Sequence, residues 1–150
     1  MKRYPFIVKE IDRWTDDGEF EGVMKGSIGR MEISAKYVLP PAELEKFPVG
    51  SVDEALFELE VSGNNLQIVE DDEAYLDQNE GHNYNLQGKV VDINDHSMLI
   101  RANVDMAVAL AESPPVTEEG DEIRVGHQIW AYGEMNIVLN PENVESPYWD

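Results

Sequence analysis

Alternation of apolar and polar residues at a period of two is the feature that most limits the folds open to this chain. Between Met31 and Tyr37, four apolar residues alternate with three polar ones, which is typical of a strand with one buried face. The strands predicted in this way are 3–14, 19–25, 31–37, 52–61, 66–69, 89–94, 98–103, 123–126, 129–134 and 136–139. The sequence therefore predicts a mainly β protein, an antiparallel barrel or sandwich with at most one or two short helices.

Turn-forming residues separate the predicted strands. Asp16-Asp17-Gly18, Gly26–Gly29 and Ser62–Asn65 are predicted turns, and a helical turn or two is predicted over 42–47. The segment 104–111 fits a short helix or a strand. Two acidic segments, 70–85 and 114–122, show no sustained period and are predicted loops. At 150 residues the chain is the size of one domain.

The second half of the chain contains an echo of the first. Met31-x-Ile33-x-Ala35 has a counterpart in Met98-x-Ile100-x-Ala102, Glu21-Gly22-Val23 in Gln87-Gly88-Lys89, and Val49-Gly50 in Val125-Gly126. These matches predict a pseudo-repeat of two related hairpin units, 19–69 and 86–139, joined by the acidic segment 70–85. Chance matching among residues common in β proteins is the competing explanation.

The segment 120–134 resembles the closing strands of small Greek-key barrels, the oligonucleotide-binding folds among them. That resemblance implies an OB-like fold and no function by itself. Single-strand binding on such a fold needs a basic groove with stacking aromatic residues. Here one basic residue, Arg124, accompanies Trp130 and Tyr132, and five acids surround them, so direct nucleic-acid binding is not expected. The acids are Glu118, Glu119, Asp121, Glu122 and Glu134. The two aromatic residues fit either core packing or an exposed anchor for a protein partner.

Acidic residues dominate the chain from residue 47 onward. The whole chain has a formal charge of −20. Residues 47–150 hold 22 acidic and three basic side chains, so they contribute −19 of it. Such a charge opposes binding to phosphate backbones and anionic membranes and favours fast association with a basic partner. No sufficiently long apolar segment predicts a membrane span, and we expect a cytoplasmic protein.

The sequence excludes cysteine-dependent sites and contains none of the common catalytic or phosphate-binding motifs. Without cysteine, the chain has no disulfides, thiolate nucleophile or cysteine-based metal centre. Phosphate-binding glycine motifs, the nucleophile elbow and the zinc-binding H-E-x-x-H pattern are also missing. We therefore predict a non-enzymatic protein with no catalytic residues, no metal site and no cofactor.

The predicted contact residues are acidic clusters and two aromatic residues. Glu58 and Glu60 fall on the same face of a strand, about 6.6–7 Å apart, and the other clusters lie in the two acidic segments. The residues predicted to contact a partner are Glu58, Glu60, Glu70, Asp71, Asp72, Glu73, Glu118, Glu119, Asp121, Glu122, Trp130 and Tyr132. Simple solvation of the surface is the competing explanation for the acids.

These observations favour a protein that binds, and thereby inhibits or neutralises, a basic-surfaced protein. The partner would be a toxin blocked by an immunity protein or a nucleic-acid-binding enzyme blocked by a DNA mimic. One alternative is a domain that binds or hydrolyses a small molecule or carbohydrate, using Trp14, Trp130, Tyr132 and a carboxylate of raised pKa in a barrel mouth. Another is a structural subunit that assembles into a homo-oligomer.

Overall fold

The nine strands form one continuous, ring-like sheet in which antiparallel pairings predominate. A computed structural model describes residues 3–14, 20–110 and 114–139, with the backbone alone at 62–64. The elements are β1 (Tyr4–Arg13), β2 (Glu21–Ile28), β3 (Met31–Val38), α1 (Pro41–Leu44), β4 (Val52–Ile68), β5 (Tyr75–Glu80), β6 (Asn83–Ile93), β7 (Ser97–Arg101), β8 (Asp105–Ala109) and β9 (Gln128–Leu139). The predicted mainly β barrel or sandwich class, with one short helix, is confirmed.

Two closed rings of hydrogen-bonded strands share β4 and β9. One ring runs β1-β2-β3-β9-β4 and is closed by pairing of β1 with β4. The other runs β4-β8-β7-β6-β9 and is closed by pairing of β6 with β9. The pairings of β3 with β9 and of β4 with β8 are parallel. β5 pairs with β6 alone among the described strands, outside both rings.

The two rings repeat the same backbone contacts. The amide of Gly50 donates to the carbonyl of Val8 at 2.7 Å, and that of Gly126 donates to the carbonyl of Val90 at 2.8 Å. Both glycines have positive φ angles, 94° and 97°, which L-residues rarely adopt. The strand register also shifts directly after Val8 and directly after Val90. Gly50 and Gly126 are therefore structurally equivalent.

A pseudo-twofold relationship follows from this equivalence. The 76-residue separation of Gly50 and Gly126 also relates Leu59 to Met135, and these two residues pair with each other in the β4–β9 ladder. Both are fully buried. The two rings are thus related by a rotation about the middle of the β4–β9 ladder.

This equivalence relates β1 to β6 and β2 to β7, whereas the sequence echo matched β2 with β6 and β3 with β7. Of the three sequence matches, only that of Val49-Gly50 with Val125-Gly126 joins positions that are equivalent in the two rings. The repeat boundaries 19–69 and 86–139, and their origin in a duplication, stay predictions.

A tyrosine hydroxyl of each ring accepts a hydrogen bond from a backbone amide of the other ring. The amide of Ser34 in β3 donates to the hydroxyl of Tyr84 in β6 at 2.8 Å, and both residues are buried. The amide of Asp105 in β8 donates to the hydroxyl of Tyr4 in β1 at 2.7 Å. Each tyrosine lies on the first strand of one ring and satisfies a backbone amide on the third strand of the other. These contacts join the rings outside the shared strands.

Several predicted boundaries in the first half are corrected. β2 continues through Ile28, and the chain turns at Gly29. Gly26 lies inside the strand and forms no turn. A Cβ at this position would meet the Phe6 ring, so the glycine allows close packing. Residues 62–65 do not reverse the chain. β4 runs through them as one strand of 17 residues, with an irregular register against β9 between Val61 and Leu66. The predicted Asp16–Gly18 turn lies outside the described residues.

Corrections in the second half concern the acidic segments and their flanks. Residues 75–80 of the predicted loop 70–85 form β5, and residues 83–85 belong to β6. β5 shows no sustained apolar period because it is an edge strand whose last four residues are exposed. The ambiguous segment 104–111 contains β8. The predicted strand at 123–126 is absent from the described strands; its backbone turns at Gly126, with one isolated bridge between Val116 and Glu122 nearby.

Candidate functional site

The outer face of the β4–β9 ladder carries two of the predicted acids. Leu59 and Met135 face inward, so their strand neighbours face outward. Glu58 pairs with Asn136, and Glu60 pairs with Glu134. Three carboxylates therefore lie together where the two rings meet, and directly paired side chains on one face have Cβ atoms about 4.5–5.5 Å apart.

A cleft of about 430 Å³ opens on this face between β3, β4 and β9. Glu58 and Glu60 line it together with Lys36 and Asn136. The apolar part of its lining is Val38, Leu39, Ile137, Val138 and Leu139. Burial of the Glu58 carboxyl raises its pKa above the ordinary value, and the nearby charge of Glu60 raises it further.

Lys36 lines the cleft, yet its ammonium group is engaged elsewhere. The Lys36 Nζ lies 3.8 Å from a carboxylate oxygen of Glu21 and 6.0 Å from the centre of the Trp14 ring. No described ion pair joins Glu58 or Glu60 to a basic side chain. The two carboxylates of the cleft therefore have no cation of this chain within ion-pair distance among the described residues.

Trp130 and Tyr132 lie on the outer face of β9, on the same side as Glu134. Both are half-buried, and the core residues Ile129 and Ala131 alternate with them. Core packing is therefore the wrong explanation for these aromatic residues. The Trp130 indole donates to Asn85 Oδ1 at 3.2 Å, and Asn79 Nδ2 donates to the Tyr132 hydroxyl at 3.1 Å. Amides of β6 and β5 thus hold both rings in place.

The acidic cluster Glu70–Glu73 follows the end of β4 and is held against the same face. The side-chain amide of Gln87 donates to Asp71 Oδ1 and, at 2.8 Å, to the carbonyl of Glu73. Gln128 Nε2 also donates to the Glu73 carbonyl at 2.8 Å. The pKa of Tyr75 is raised by burial and then by the charges of Asp77, Asp71 and Glu73. This cluster is therefore an ordered part of the surface next to β9.

The cluster at 118–122 belongs to a separate loop between β8 and β9. The Thr117 amide donates to the Asp121 carbonyl at 2.8 Å, and the Asp121 amide donates to the Thr117 hydroxyl at 3.1 Å. Glu122 forms an ion pair with Arg124 at 3.0 Å. None of the contacts described for Glu118, Glu119, Asp121 or Glu122 joins this loop to the face that carries Trp130.

We use the name outer strip for the surface along β9 that carries the other predicted residues except Glu70 and Asp72, for which no contact with this surface is described. Its backbone spans about 27 Å from Gln128 to Asn136 at the usual rise per residue. Asp71, Glu73 and Tyr75 lie at one end, Trp130 and Tyr132 in the middle, and Glu58, Glu60, Glu134 and Asn136 at the other end. Aromatic rings thus lie between two groups of carboxylates.

Several residues of this surface were not singled out from the sequence. Glu134 and Asn136 share a face with Tyr132. The alternation of apolar and polar residues along this strand could have placed them there from the sequence. His82 was not predictable in the same way: its Nε2 lies 3.7 Å from Glu134 Oε1 and its ring 5.4 Å from that of Trp14. These contacts join residues far apart in sequence. Trp14 lies at this end, and the cleft lining contains none of Trp14, Trp130 and Tyr132.

Neither a metal cluster nor a membrane-spanning helix is present in the part of the chain that the structure describes. There, no three His, Asp or Glu side chains lie in an arrangement that could hold a metal ion. No helix within 3–14, 20–110 and 114–139 has the length and apolarity that crossing a bilayer requires.

In comparisons with known proteins, no protein-family model, no curated protein and no solved structure matches this chain.

Proposed function

We propose that this chain is a non-enzymatic binding protein that inhibits or neutralises a basic-surfaced protein by covering it with the outer strip. The single observation that carries the proposal is the placement of half-buried Trp130 and Tyr132 between two groups of carboxylates on one sheet face. Protein interfaces combine aromatic anchors near the centre with polar groups around them. The outer strip has that arrangement.

The charge of the strip calls for a counter-charge from outside the chain. Five of the described cations pair with acids away from the strip: Arg3 with Glu54, Lys9 with Glu32, Lys46 with Glu43, Arg101 with Asp105 and Arg124 with Glu122. Within the strip, Glu134 Oε1 lies 3.7 Å from His82 Nε2. Among the described ion pairs, none involves Glu58, Glu60, Asp71 or Glu73. A basic partner would supply the missing charge, and long-range attraction would speed its approach.

The acids of the strip also oppose the stability of the fold. Glu60 faces Glu134 directly, and like charges in a cross-strand pair are destabilising. Glu58 is partly desolvated, as the raised pKa of its carboxyl indicates. A surface that needed only solvation would be served by acids placed apart from one another. Their concentration beside aromatic residues supports a binding role.

Two biological settings fit this chemistry. The chain would act as an immunity protein against a basic toxin or as a DNA mimic that occupies the basic groove of a nucleic-acid-binding enzyme. In both settings the protein works in the cytoplasm and contacts neither nucleic acid nor membrane itself. Duplex DNA carries about one charge per 1.7 Å of axis, and closely spaced carboxylates on a rigid sheet offer comparable negative charge.

One observation supports the alternative of a small-ligand site in part. The cleft contains a carboxyl of raised pKa, Glu58, which a barrel-mouth site would need. The predicted aromatic residues, Trp14, Trp130 and Tyr132, do not line the cleft. We therefore propose protein binding, rather than small-ligand binding, as the main function.

Affinity capture tests the proposal. The tagged protein is incubated with lysate of its source and washed at low and at high salt, and retained proteins are identified by mass spectrometry. A variant carrying Glu60→Gln, Glu73→Gln and Glu134→Gln is run beside the wild type. A control carrying Glu10→Gln, Glu45→Gln and Asp95→Asn removes the same charge from exposed positions away from the strip.

The proposal expects one basic protein on the wild type and on the control, retained at low salt and depleted at high salt. The strip variant should retain much less of it. Absence of any stoichiometric partner, or equal retention by all three proteins, contradicts the proposal.

A further inference from the structure

We propose that the cleft between β3, β4 and β9 binds an alkyl cation, the side chain of a lysine or arginine presented by the protein partner. This inference rests on the proposed function, because it assigns one pocket of the outer strip to one group of that partner. The volume of about 430 Å³ lies within the range of ligand sites in proteins.

The polar part of the cleft fits a cation. Glu58 and Glu60 supply carboxylates, and no described basic side chain lies within ion-pair distance of either. Lys36 also lines the cleft, but its Nζ lies 3.8 Å from Glu21 Oε1. A cation that enters the cleft gains strong attraction because Glu58 is already partly removed from water. An anion would be repelled by the same two groups.

The apolar part of the cleft fits the carbon stem of the cation. Side chains of Val38, Leu39 and the end of β9 provide a wall beside the carboxylates. Lysine and arginine bury their methylene stems against apolar surface while their charged ends meet polar groups. A hydrated metal ion would make no use of such a wall, and the described residues offer no cluster of three metal-binding side chains.

Titration with single-residue probes tests this assignment without the partner. The full-length protein is titrated with N-acetyl-lysine methylamide, with the arginine analogue and with the uncharged norleucine analogue, while the side-chain amide resonance of Asn136 is followed by NMR. We expect saturable shifts with a dissociation constant of order millimolar for one or both cations, as befits a single side chain. The lysine and arginine titrations show which cation is preferred.

Variants locate the binding. Glu58→Gln should remove the saturable shift. Glu45→Gln should leave it unchanged, because Glu45 is an exposed acid at the end of α1 and does not line the cleft. Folding of each variant is checked by its backbone amide spectrum. Absence of a saturable shift with both cations, equal binding of norleucine, or full binding to Glu58→Gln would overturn the assignment.

The outcomes separate this inference from the proposed function. If capture yields a basic partner that binds Glu58→Gln as tightly as the wild type, the cleft assignment fails and the proposed function stands. If the lysine probe binds in the cleft but capture yields no partner, the cleft is a cation site and the proposed function fails.

Discussion

Glu60 and Glu134 pair directly across the β4–β9 ladder, so two carboxylates lie side by side on the outer face of the shared strands. The inward-facing pair beside them, Leu59 and Met135, lies on the pseudo-twofold axis. The like-charged pair therefore lies at the junction of the two rings, on the face opposite to the buried pair of Leu59 and Met135.

Glu60→Gln should stabilise the protein. The substitution removes the repulsion between Glu60 and Glu134, which is worth about 0.2–1 kcal/mol in a cross-strand pair. Urea unfolding at neutral pH and low salt measures the change, and added salt should reduce it. Glu118→Gln, at an exposed loop position, should shift stability by less than about 0.5 kcal/mol. A Glu60→Gln variant less stable than the wild type would contradict the account.

Glu58 should make the wild type lose stability as the pH rises from about 4.5. Burial and the charge of Glu60 raise the pKa of the Glu58 carboxyl above 4.5 in the folded protein. Between the unfolded and folded pKa values, the native state binds more protons than the unfolded state, so the free energy of unfolding falls with increasing pH. Glu58→Gln removes this contribution.

Unfolding curves of both proteins across this pH range provide the measurement. The stability of Glu58→Gln relative to the wild type should increase with pH through the window and then level off. A difference that stays constant with pH would show that Glu58 titrates normally.

Tyr84→Phe should destabilise the protein more than Tyr4→Phe. Removing the Tyr84 hydroxyl leaves the buried amide of Ser34 without its acceptor, which costs about 1–3 kcal/mol. The Tyr4 bond to Asp105 is only partly buried, so its loss should cost about 0.5–1.5 kcal/mol. Denaturant unfolding measures both, with Tyr132→Phe as a control that changes stability little. Equal effects of all three substitutions would argue against the inter-ring bonds.

Gly50→Ala and Gly126→Ala should destabilise the protein by similar amounts. A Cβ at either glycine meets nothing within 4 Å, so the expected loss of about 1–3 kcal/mol comes from the positive φ angle alone. Asparagine, which tolerates positive φ better, should recover part of the loss at both sites. Thermal or urea unfolding provides the comparison. A large effect at one glycine and none at the other would contradict their equivalence.

Local patterning predicted much of the fold. The period-two segments at 31–37 and 52–61 fall in β3 and β4, and the spacing within 129–134 places Trp130 and Tyr132 on one face. The predicted strands 129–134 and 136–139 form one strand, β9. The pattern failed where residues serve long-range contacts. Gly26 resembles a turn residue in the sequence, but its role, close packing against Phe6, depends on another strand. The apolar pattern does not predict β5, because only Tyr75 and Leu76 at its start are partly buried.

The candidate site was only partly predictable. Glu58 and Glu60 share a face, as their spacing required. The cleft exists because β9 lies between β3 and β4, and the parallel β3–β9 pairing is not encoded in local spacing. The loop 118–122 resembles 70–73 in composition, and the contacts of Gln87 and Gln128 distinguish the two. Net charge alone therefore predicts only a class of binding protein, and the proposed surface depends on the strand topology.

The most direct test of the proposed binding surface is the dissociation constant of the captured partner, measured against NaCl concentration. Wild type, the strip variant (Glu60→Gln, Glu73→Gln, Glu134→Gln) and the charge-matched control (Glu10→Gln, Glu45→Gln, Asp95→Asn) are compared. At about 0.5 kcal/mol for each lost pair, the strip variant should bind roughly tenfold more weakly at low salt, with a shallower salt dependence, and the control should match the wild type. Equal weakening of both variants would show that net charge alone drives binding and would contradict the outer strip as the binding surface.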